Sequence, residues 1–276
     1  MMTCSNQSKE PLVSGSIHSV EENIHILKQL HLSGMANALN EIGSSKEFIE
    51  MGFNDQLNEL LSHELIKRKN SRYHRRLKKA QLHSGATQEM IIERKTSYNL
   101  SRNKLDYLMG CEWISEGGLV LITGKCGCGK TDLASAIIDS ACRKGLRAKC
   151  IDYSLCMLDL LCAQQSGDPM KYESKKNEYA SNQLLLLDDI CIGNPLEGES
   201  FVFKELIQQC RERNRCGLIL VSQLKPAKWL SHMGGTKEAA DAALDRVSTN
   251  CIHINLEGDS HRSTNNRLTK KEDSHE

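Results

Sequence analysis

A short glycine-rich stretch lies between an apolar segment and an amphipathic one, and it limits the possible folds more than any other part of the chain. Residues 119–122 read Leu-Val-Leu-Ile, residues 124–131 read Gly-Lys-Cys-Gly-Cys-Gly-Lys-Thr, and apolar residues then recur at helical spacing over 133–141. This order is typical of a buried strand, a tight loop and a helix. Glycines let such a loop turn sharply and point its backbone N–H groups inward, where they can hold phosphate oxygens. The stretch therefore predicts a nucleotide-binding loop.

Individual residues of this loop have separate predicted tasks. Lys130 is expected to reach the β- and γ-phosphates of ATP, and Thr131 is expected to place its hydroxyl on Mg²⁺. The helix that begins there directs the positive end of its dipole at the anion. A chance glycine-rich turn is the alternative, but the strand-like and helical flanks disfavour it. The predicted nucleotide-binding residues are Gly124, Lys125, Cys126, Gly127, Cys128, Gly129, Lys130, Thr131 and Asp132.

The remainder of this region alternates between short apolar runs and helical patterns. Such alternation is typical of a parallel sheet with helices on both faces, so the predicted fold class is a three-layer α/β fold. The predicted strands are 119–123, 146–152, 184–189, 217–222 and 251–256, and the predicted helices are 131–144, 154–165, 200–215 and 237–248.

Two acidic residues follow the apolar run 184–187, at the predicted carboxyl end of a buried strand, where ligands of α/β proteins bind. Asp188 is expected to hold the Mg²⁺ shell, and Asp189 to orient or deprotonate an attacking water. The next predicted strand ends in Ser222 and Gln223, which could bond the γ-phosphate or its water. A solvated Asp-Asp turn and a strand-capping Ser-Gln pair are the simpler alternatives.

A chain of 276 residues with 39% hydrophobic content can hold one full core and a smaller second module. The start is Ser-rich and aperiodic, helical spacing begins at Ile24, and the end is polar and aperiodic. The predicted division is a mobile leader over 1–20, a helical, basic N-terminal domain over 21–100, a nucleotide-binding domain over 101–262 and a disordered tail over 263–276.

Composition also predicts the cellular location of the protein and the state of its cysteines. No apolar stretch is long enough to span a membrane, and the start lacks the basic-then-apolar order of a signal peptide, so we expect a soluble, cytoplasmic protein without a membrane partner. The 12 cysteines are scattered and include no C-x-x-C pair, which predicts reduced thiols. Cys126 and Cys128 are expected to be exposed in the loop, with a redox role left open.

The most basic segment is 67–79, in which eight of thirteen residues are Lys or Arg, although the net charge of the whole chain is only +1. Such a segment can follow a phosphate backbone with strong salt dependence, but it can also be a solvated helix face. No helix-turn-helix or zinc signature accompanies it, so we expect contacts to duplex DNA without base recognition. The predicted DNA contacts are Lys67, Arg68, Lys69, Arg72, Arg75, Arg76, Lys78 and Lys79.

The order of these motifs resembles the IstB-like ATP-binding family, helper ATPases encoded beside transposases in insertion sequences. The family is related, within the AAA+ proteins, to DnaC-like helicase loaders. The resemblance covers about residues 24 to 262. The chain departs from the pattern of the family at the two cysteines of the loop and at His261. It is carried by residues 124–131, 184–189, 221–224 with Trp229, 240–247 and 258–262.

The resemblance implies an AAA+ ATPase that uses ATP and Mg²⁺, assembles as a homo-oligomer on duplex DNA, bends it and presents it to a transposase. It implies that Gln223 or Ser222 is sensor 1, and that Arg246 is an arginine finger entering a neighbouring subunit's ATP site. Arg262 occupies the sensor 2 position. The predicted catalytic residues are Lys130, Asp188, Asp189, Gln223 and Arg246.

Simpler interpretations of these arginines stay open, because Arg246 could pair with Asp241 or Asp245 on its own helix and Arg262 could begin the tail. At the level of function, the main alternative is a DnaC-like helicase loader, with the same ATP site and an N-terminal module that grips a helicase. A small-molecule kinase is disfavoured by the absence of an evident lid.

Overall fold

The structure is a computed structural model that describes residues 19–93 and 100–256. By packing, the chain divides into two compact units, with the division between Arg72 and Tyr73. In the described ranges, no helix is long and apolar enough to cross a membrane. The helices are α1 Val20–Gln29, α2 Ser33–Ile42, α3 Lys46–Glu50, α4 Phe53–Ala80, α5 Gln88–Glu93, α6 Arg102–Gly110, α7 Lys130–Arg143, α8 Tyr153–Gln165, α9 Pro169–Ala180, α10 Glu199–Gln208 and α11 Lys237–Ser248.

The first unit is helical and is organised around a buried carboxylate. Glu64 on α4 is 6% exposed and accepts hydrogen bonds from the backbone N–H groups of Gly34, at 2.5 Å, and Met35, at 3.2 Å. These groups belong to the first turn of α2, where an anion is favourable. Burial raises the pKa of Glu64, but the hydrogen bond from Arg68 and those two backbone bonds outweigh it and lower the pKa overall. Glu64 thereby joins α2 to α4.

The second unit contains a sheet that, within the described residues, has five parallel strands in the order β2-β3-β4-β1-β5. Because all strands run the same way, their carboxyl ends meet at one edge of the sheet. The middle strands are buried on both faces, as their continuous apolar sequences require. The strands are β1 Leu119–Gly124, β2 Ala148–Asp152, β3 Leu184–Asp188, β4 Gly217–Ser222 and β5 Cys251–Leu256.

Alternate side chains of each strand enter two separate cores. Leu186 and Ile219 point into a core with residues of α6 and α7, whereas Leu185 and Leu218 point into a core with residues of α8, α9, α10 and α11. Two helical layers therefore enclose the sheet, and the predicted three-layer α/β fold is confirmed.

The last eight residues of α4, 73–80, belong to the second unit and pack within it. Ala80 is buried in the first of these cores and Tyr73 and Leu77 pack against it. The hydroxyl of Tyr73 donates to the carboxylate of Asp139 on α7, which Arg143 also binds at 2.8 Å. The observed division at Arg72 thus differs from the predicted boundary near residue 100, because these apolar contacts place the residues after Arg72 in the core of the second unit.

Two elements differ from the sequence predictions. Helix α9 was not predicted, because its sequence is mostly polar and buries only Lys176, Tyr179 and Ala180. Its start was nevertheless marked by Asp168, which caps the helix, and by a proline in the first turn. The predicted helix 200–215 ends as an α-helix at Gln208 and continues as a turn of π-helix over Gln209–Arg213.

Candidate nucleotide-binding site

The glycine-rich loop leaves the carboxyl end of β1, in the middle of the sheet, and ends where α7 begins at Lys130. Gly127 and Gly129 have φ angles of 80° and 86°, which L side chains adopt only at a cost. Gly129 is the residue immediately before the helix. The geometry is that of a tight loop at a helix N-terminus, as the sequence predicted.

Lys130 is turned into the loop rather than into solvent. It is 6% exposed, and its Nζ donates to the carbonyl oxygen of Lys125 at 2.8 Å. The ammonium group therefore lies inside the curve of the loop, against a backbone acceptor.

A hydroxyl and a carboxylate meet beside the loop. Oγ1 of Thr131 donates to Oδ2 of Asp188 at 3.2 Å, and Oδ1 of Asp188 accepts the backbone N–H of Asp189 at 3.0 Å. Asp188 is 3% exposed, so its carboxylate is fixed in a nearly dry position. Such oxygens suit Mg²⁺, which binds through one or two protein oxygens together with phosphates and water. Among the described residues no cluster of three or more His, Cys, Asp and Glu side chains could hold a metal alone.

Asp189 is held in an unusual environment next to this pair. Its φ of 58° lies in the left-handed region, which for a non-glycine residue marks local strain. Burial raises its pKa, and the neighbouring carboxylate of Asp188 adds to the increase. A hydrogen bond from Gln223 and the charge of Lys130 lower the pKa of Asp189, but by less than the other two effects raise it.

Ser222 and Gln223 have different surroundings. Ser222 is fully buried; its hydroxyl donates to the carbonyl of Ile190 at 2.9 Å and accepts the N–H of Leu224 at 3.1 Å. These bonds hold the end of β4 against the segment after β3. Gln223 is the member of the pair that contacts Asp189, and the sequence did not distinguish the two.

Arg246 lies at the opposite edge of the sheet. It is on α11, which ends just before β5, and Cys251 at the start of β5 pairs with Leu119 at the start of β1. The loop follows the other end of β1, which is about 20 Å away for six residues at about 3.3 Å each. Nη1 of Arg246 donates to the carbonyl of Ala242 at 3.0 Å. Within the described ranges it forms no ion pair with Asp241 or Asp245.

The remaining residues that the sequence analysis singled out lie in different environments. Asp132 accepts a hydrogen bond from Ser84 at 2.6 Å. Cys126 is exposed, but Cys128 is buried beneath the loop, so the expectation that both are exposed is wrong for Cys128. All the cysteines in the described ranges are free thiols. Arg262 lies outside the described residues.

The basic residues of α4 are not equivalent. The guanidinium of Arg68 is bound to Glu64 at 2.7 Å, and Lys67 and Arg76 are half-buried. Tyr73, which lies within the same segment, donates to Asp139 and packs against the guanidinium of Arg143, 5.1 Å from its ring centre. The members with exposed side chains and no acidic partner in the described residues are Lys69, Arg72, Arg75, Lys78 and Lys79.

One residue at the site was missed by the sequence analysis. Nδ1 of His83 lies 3.3 Å from Oδ2 of Asp188. His83 belongs to the segment between α4 and α5, which carries no recognisable motif, so no local signal could have found it.

The parallel sheet, the loop before α7 and the acidic end of β3 define an α/β protein of the P-loop class. The sequence matches the family described as IstB-like ATP binding protein over residues 25–269. Since this match covers most of the chain, the protein belongs to that family.

Individual relatives agree with this assignment. The chain is 30% identical over 239 residues to a putative insertion sequence ATP-binding protein of Sinorhizobium fredii, covering 87% of this chain and 94% of that protein. It is 26% identical over 236 residues to a putative ATP-binding protein in an insertion sequence of Mycobacterium tuberculosis, covering 86% and 92%. A replication initiator, DnaA bound to AMPPCP and single-stranded DNA, shares the fold with a TM-score of 0.50 and 23% identity, covering 70% of this chain and 56% of DnaA.

The environment of Asp189 leads to a prediction about stability. Because its pKa is raised in the folded protein, the native state holds its proton more tightly than the unfolded state, and stability from this group falls as the pH rises through the raised pKa. Asp189→Asn should therefore raise the free energy of unfolding by about 1 kcal/mol at neutral pH, a gain typical of charge-relieving substitutions. Urea denaturation at neutral and acidic pH measures the effect.

The gain should shrink at acidic pH, where both side chains are neutral. The exposed carboxylate of Asp241 offers a matched control, and Asp241→Asn should change stability little at either pH. A gain for Asp189→Asn that is the same at both pH values would assign the effect to the left-handed backbone instead of the charge.

Proposed function

We propose that the protein is a magnesium-dependent ATPase that assists DNA transposition by assembling on duplex DNA and presenting it to a transposase. The observation that carries the proposal is the contact between Thr131 and Asp188 beside the loop that contains Lys130. It brings a hydroxyl, a carboxylate and an ammonium group together at a helix N-terminus, a combination suited to a magnesium-bound triphosphate.

Each residue then has a chemical task in hydrolysis. The loop N–H groups and Lys130 bind the β- and γ-phosphates, with Lys130 exchanging the carbonyl of Lys125 for phosphate oxygens. Thr131 and Asp188 hold Mg²⁺, which when bound neutralises charge on the phosphates. Asp189, whose raised pKa makes it a better proton acceptor, orients the attacking water together with Gln223.

The position of Arg246 supports assembly. An arginine at the opposite edge of the sheet from the loop of its own subunit cannot assist hydrolysis there, whereas a neighbouring subunit could receive it. Its hydrogen bond in this structure is to a carbonyl of its own helix and to no acidic side chain of that helix. An arginine supplied in this way stabilises charge in the transition state and makes hydrolysis depend on assembly.

The exposed basic residues of α4 support contact with duplex DNA. Arg75, Lys78 and Lys79 lie in the last eight residues of α4, which pack within the second unit through Tyr73 and Leu77. Their charges are therefore presented on a fixed helix instead of a free tail, which favours binding to a phosphate backbone. The names of the relatives place them in insertion sequences, which favours the transposition hypothesis over the helicase loader.

Substitutions at the nucleotide site should separate binding from hydrolysis. Lys130→Ala should weaken ATP binding about 10- to 100-fold, because this variant lacks a charged donor to phosphate. Asp189→Asn should bind ATP normally but hydrolyse it about 100-fold or more slowly, because water is no longer oriented by a carboxylate. Calorimetric ATP binding and phosphate release under DNA-stimulated conditions measure the two properties.

Lys171→Ala is the control, since it removes an exposed lysine side chain outside the loop. It should bind and hydrolyse ATP like the wild type. If Lys171→Ala and Lys130→Ala weaken binding equally, the effect belongs to the overall charge of the protein and not to the buried ammonium.

The DNA proposal has its own test. Changing Arg75, Lys78 and Lys79 together to Gln should weaken binding to arbitrary duplex DNA and reduce the salt slope by up to about 0.9 for each phosphate that the protein no longer neutralises. ATP binding should not change. Fluorescence anisotropy over a series of salt concentrations measures both the affinity and the slope.

A control variant removes the same number of exposed positive charges elsewhere, at Lys46, Lys171 and Lys237. An equal weakening of DNA binding in the two triple variants would mean that DNA responds to overall charge, and the assignment to α4 would then be withdrawn.

A further inference from the structure

Residues 81–87, which we call the connector, join α4 to α5 and contact the nucleotide site at two points. His83 approaches Asp188 on β3, and Ser84 donates to Asp132 in the first turn of α7. The connector is fixed by packing, since Ala86 is buried and Leu82 packs against the core. Its backbone at His83 also hydrogen-bonds to the thiol of Cys150 on β2. The two contacts with the site therefore come from an ordered segment.

The carboxylate of Asp188 has three donors around it. The backbone N–H of Asp189 binds Oδ1 at 3.0 Å, whereas the Thr131 hydroxyl, at 3.2 Å, and His83 Nδ1, at 3.3 Å, both face Oδ2. Rotation about the last side-chain torsion of an aspartate is otherwise broad. The donors on both oxygens therefore determine the plane of this carboxylate, and His83 is the donor that comes from outside the two ATP-site motifs.

We propose that His83 is a positioning residue for Asp188, and that it raises the affinity of the nucleotide site for Mg²⁺ by holding the carboxylate toward Thr131. The proposal rests on the magnesium site described under Proposed function. Hydrogen-bonded partners of metal-binding carboxylates act in this way because they restrict the ligand to the productive orientation. Among the described residues His83 forms no hydrogen bond or ion pair with residues 124–130, so its effect should be on the metal and not on the phosphates.

The role of His83 can be tested by substitution, because its side chain is partly exposed. The side chain of His83 is 40% exposed, whereas that of Asp188 is 5% exposed. Removing the imidazole therefore leaves no large cavity in the core but frees one side of the Asp188 carboxylate.

The experiment compares wild type with His83→Ala by calorimetric binding of AMPPCP, at a series of Mg²⁺ concentrations and in EDTA. His83→Ala should need about tenfold more Mg²⁺ for half-maximal enhancement of binding, the lower end of the effect of such partners. Its affinity in EDTA should equal that of the wild type. A general loss of structure would lower the affinity for AMPPCP both with Mg²⁺ and in EDTA. Thermal unfolding of each variant tests for such a loss separately.

Two matched variants isolate the contact. His83→Asn keeps an N–H donor near the position of Nδ1 and should restore the wild-type Mg²⁺ requirement. Ser84→Ala removes the neighbouring contact of the connector with Asp132, and it should leave the Mg²⁺ requirement unchanged because it does not touch Asp188.

These measurements distinguish the proposed role of His83 from the proposed magnesium site. A magnesium-dependent wild type with an identical His83→Ala variant would overturn the role of His83 and leave the magnesium site standing. An equal effect of Ser84→Ala would also overturn it, since the connector as a whole would then be responsible. A wild type that binds AMPPCP equally with Mg²⁺ and EDTA would overturn both the magnesium site and the role of His83.

Discussion

The hydrogen bond between Thr131 and Asp188 depends on the whole architecture of the second unit. Thr131 follows β1 and Asp188 ends β3, and these strands are not neighbours, because β4 lies between them. The two side chains meet only because β1, β4 and β3 are parallel and in a register that brings their carboxyl ends to one edge. The apolar side chains on both faces of these strands maintain that register, since a slip by one residue would exchange the two faces. The chemistry of the site therefore rests on the packing of the sheet.

The same topology separates two groups that the family resemblance assigns to one reaction. Lys130 and Arg246 lie at opposite edges of the sheet, so a single subunit cannot bring both to one nucleotide. Under the proposed function, the site of one subunit is incomplete by itself, and assembly becomes a condition of hydrolysis.

Much of this site could be predicted from the sequence, for reasons that are local. The glycines of the loop and the apolar run before Asp188 are consecutive residues, and their spacing alone indicates a strand, a turn and a helix. His83 could not be predicted, because its contact with Asp188 joins residues 105 positions apart and depends on how the connector packs. The different surroundings of Ser222 and Gln223 also depend on tertiary contacts, namely the approach of Ile190 to β4. The burial of Cys128 and the packing of Tyr73 were missed for the same reason.

If Arg246 of one subunit completes the nucleotide site of the next, as proposed, assembly on duplex DNA should depend on bound nucleotide. The most direct measurement is the mass of the complexes formed on a duplex several helical turns long, by analytical ultracentrifugation with AMPPCP and Mg²⁺, with ADP and Mg²⁺, and without nucleotide. We expect large complexes, containing several subunits, with AMPPCP and smaller ones in the other two states. Complexes of the same mass in all three states, or no binding to duplex DNA in any of them, would contradict it.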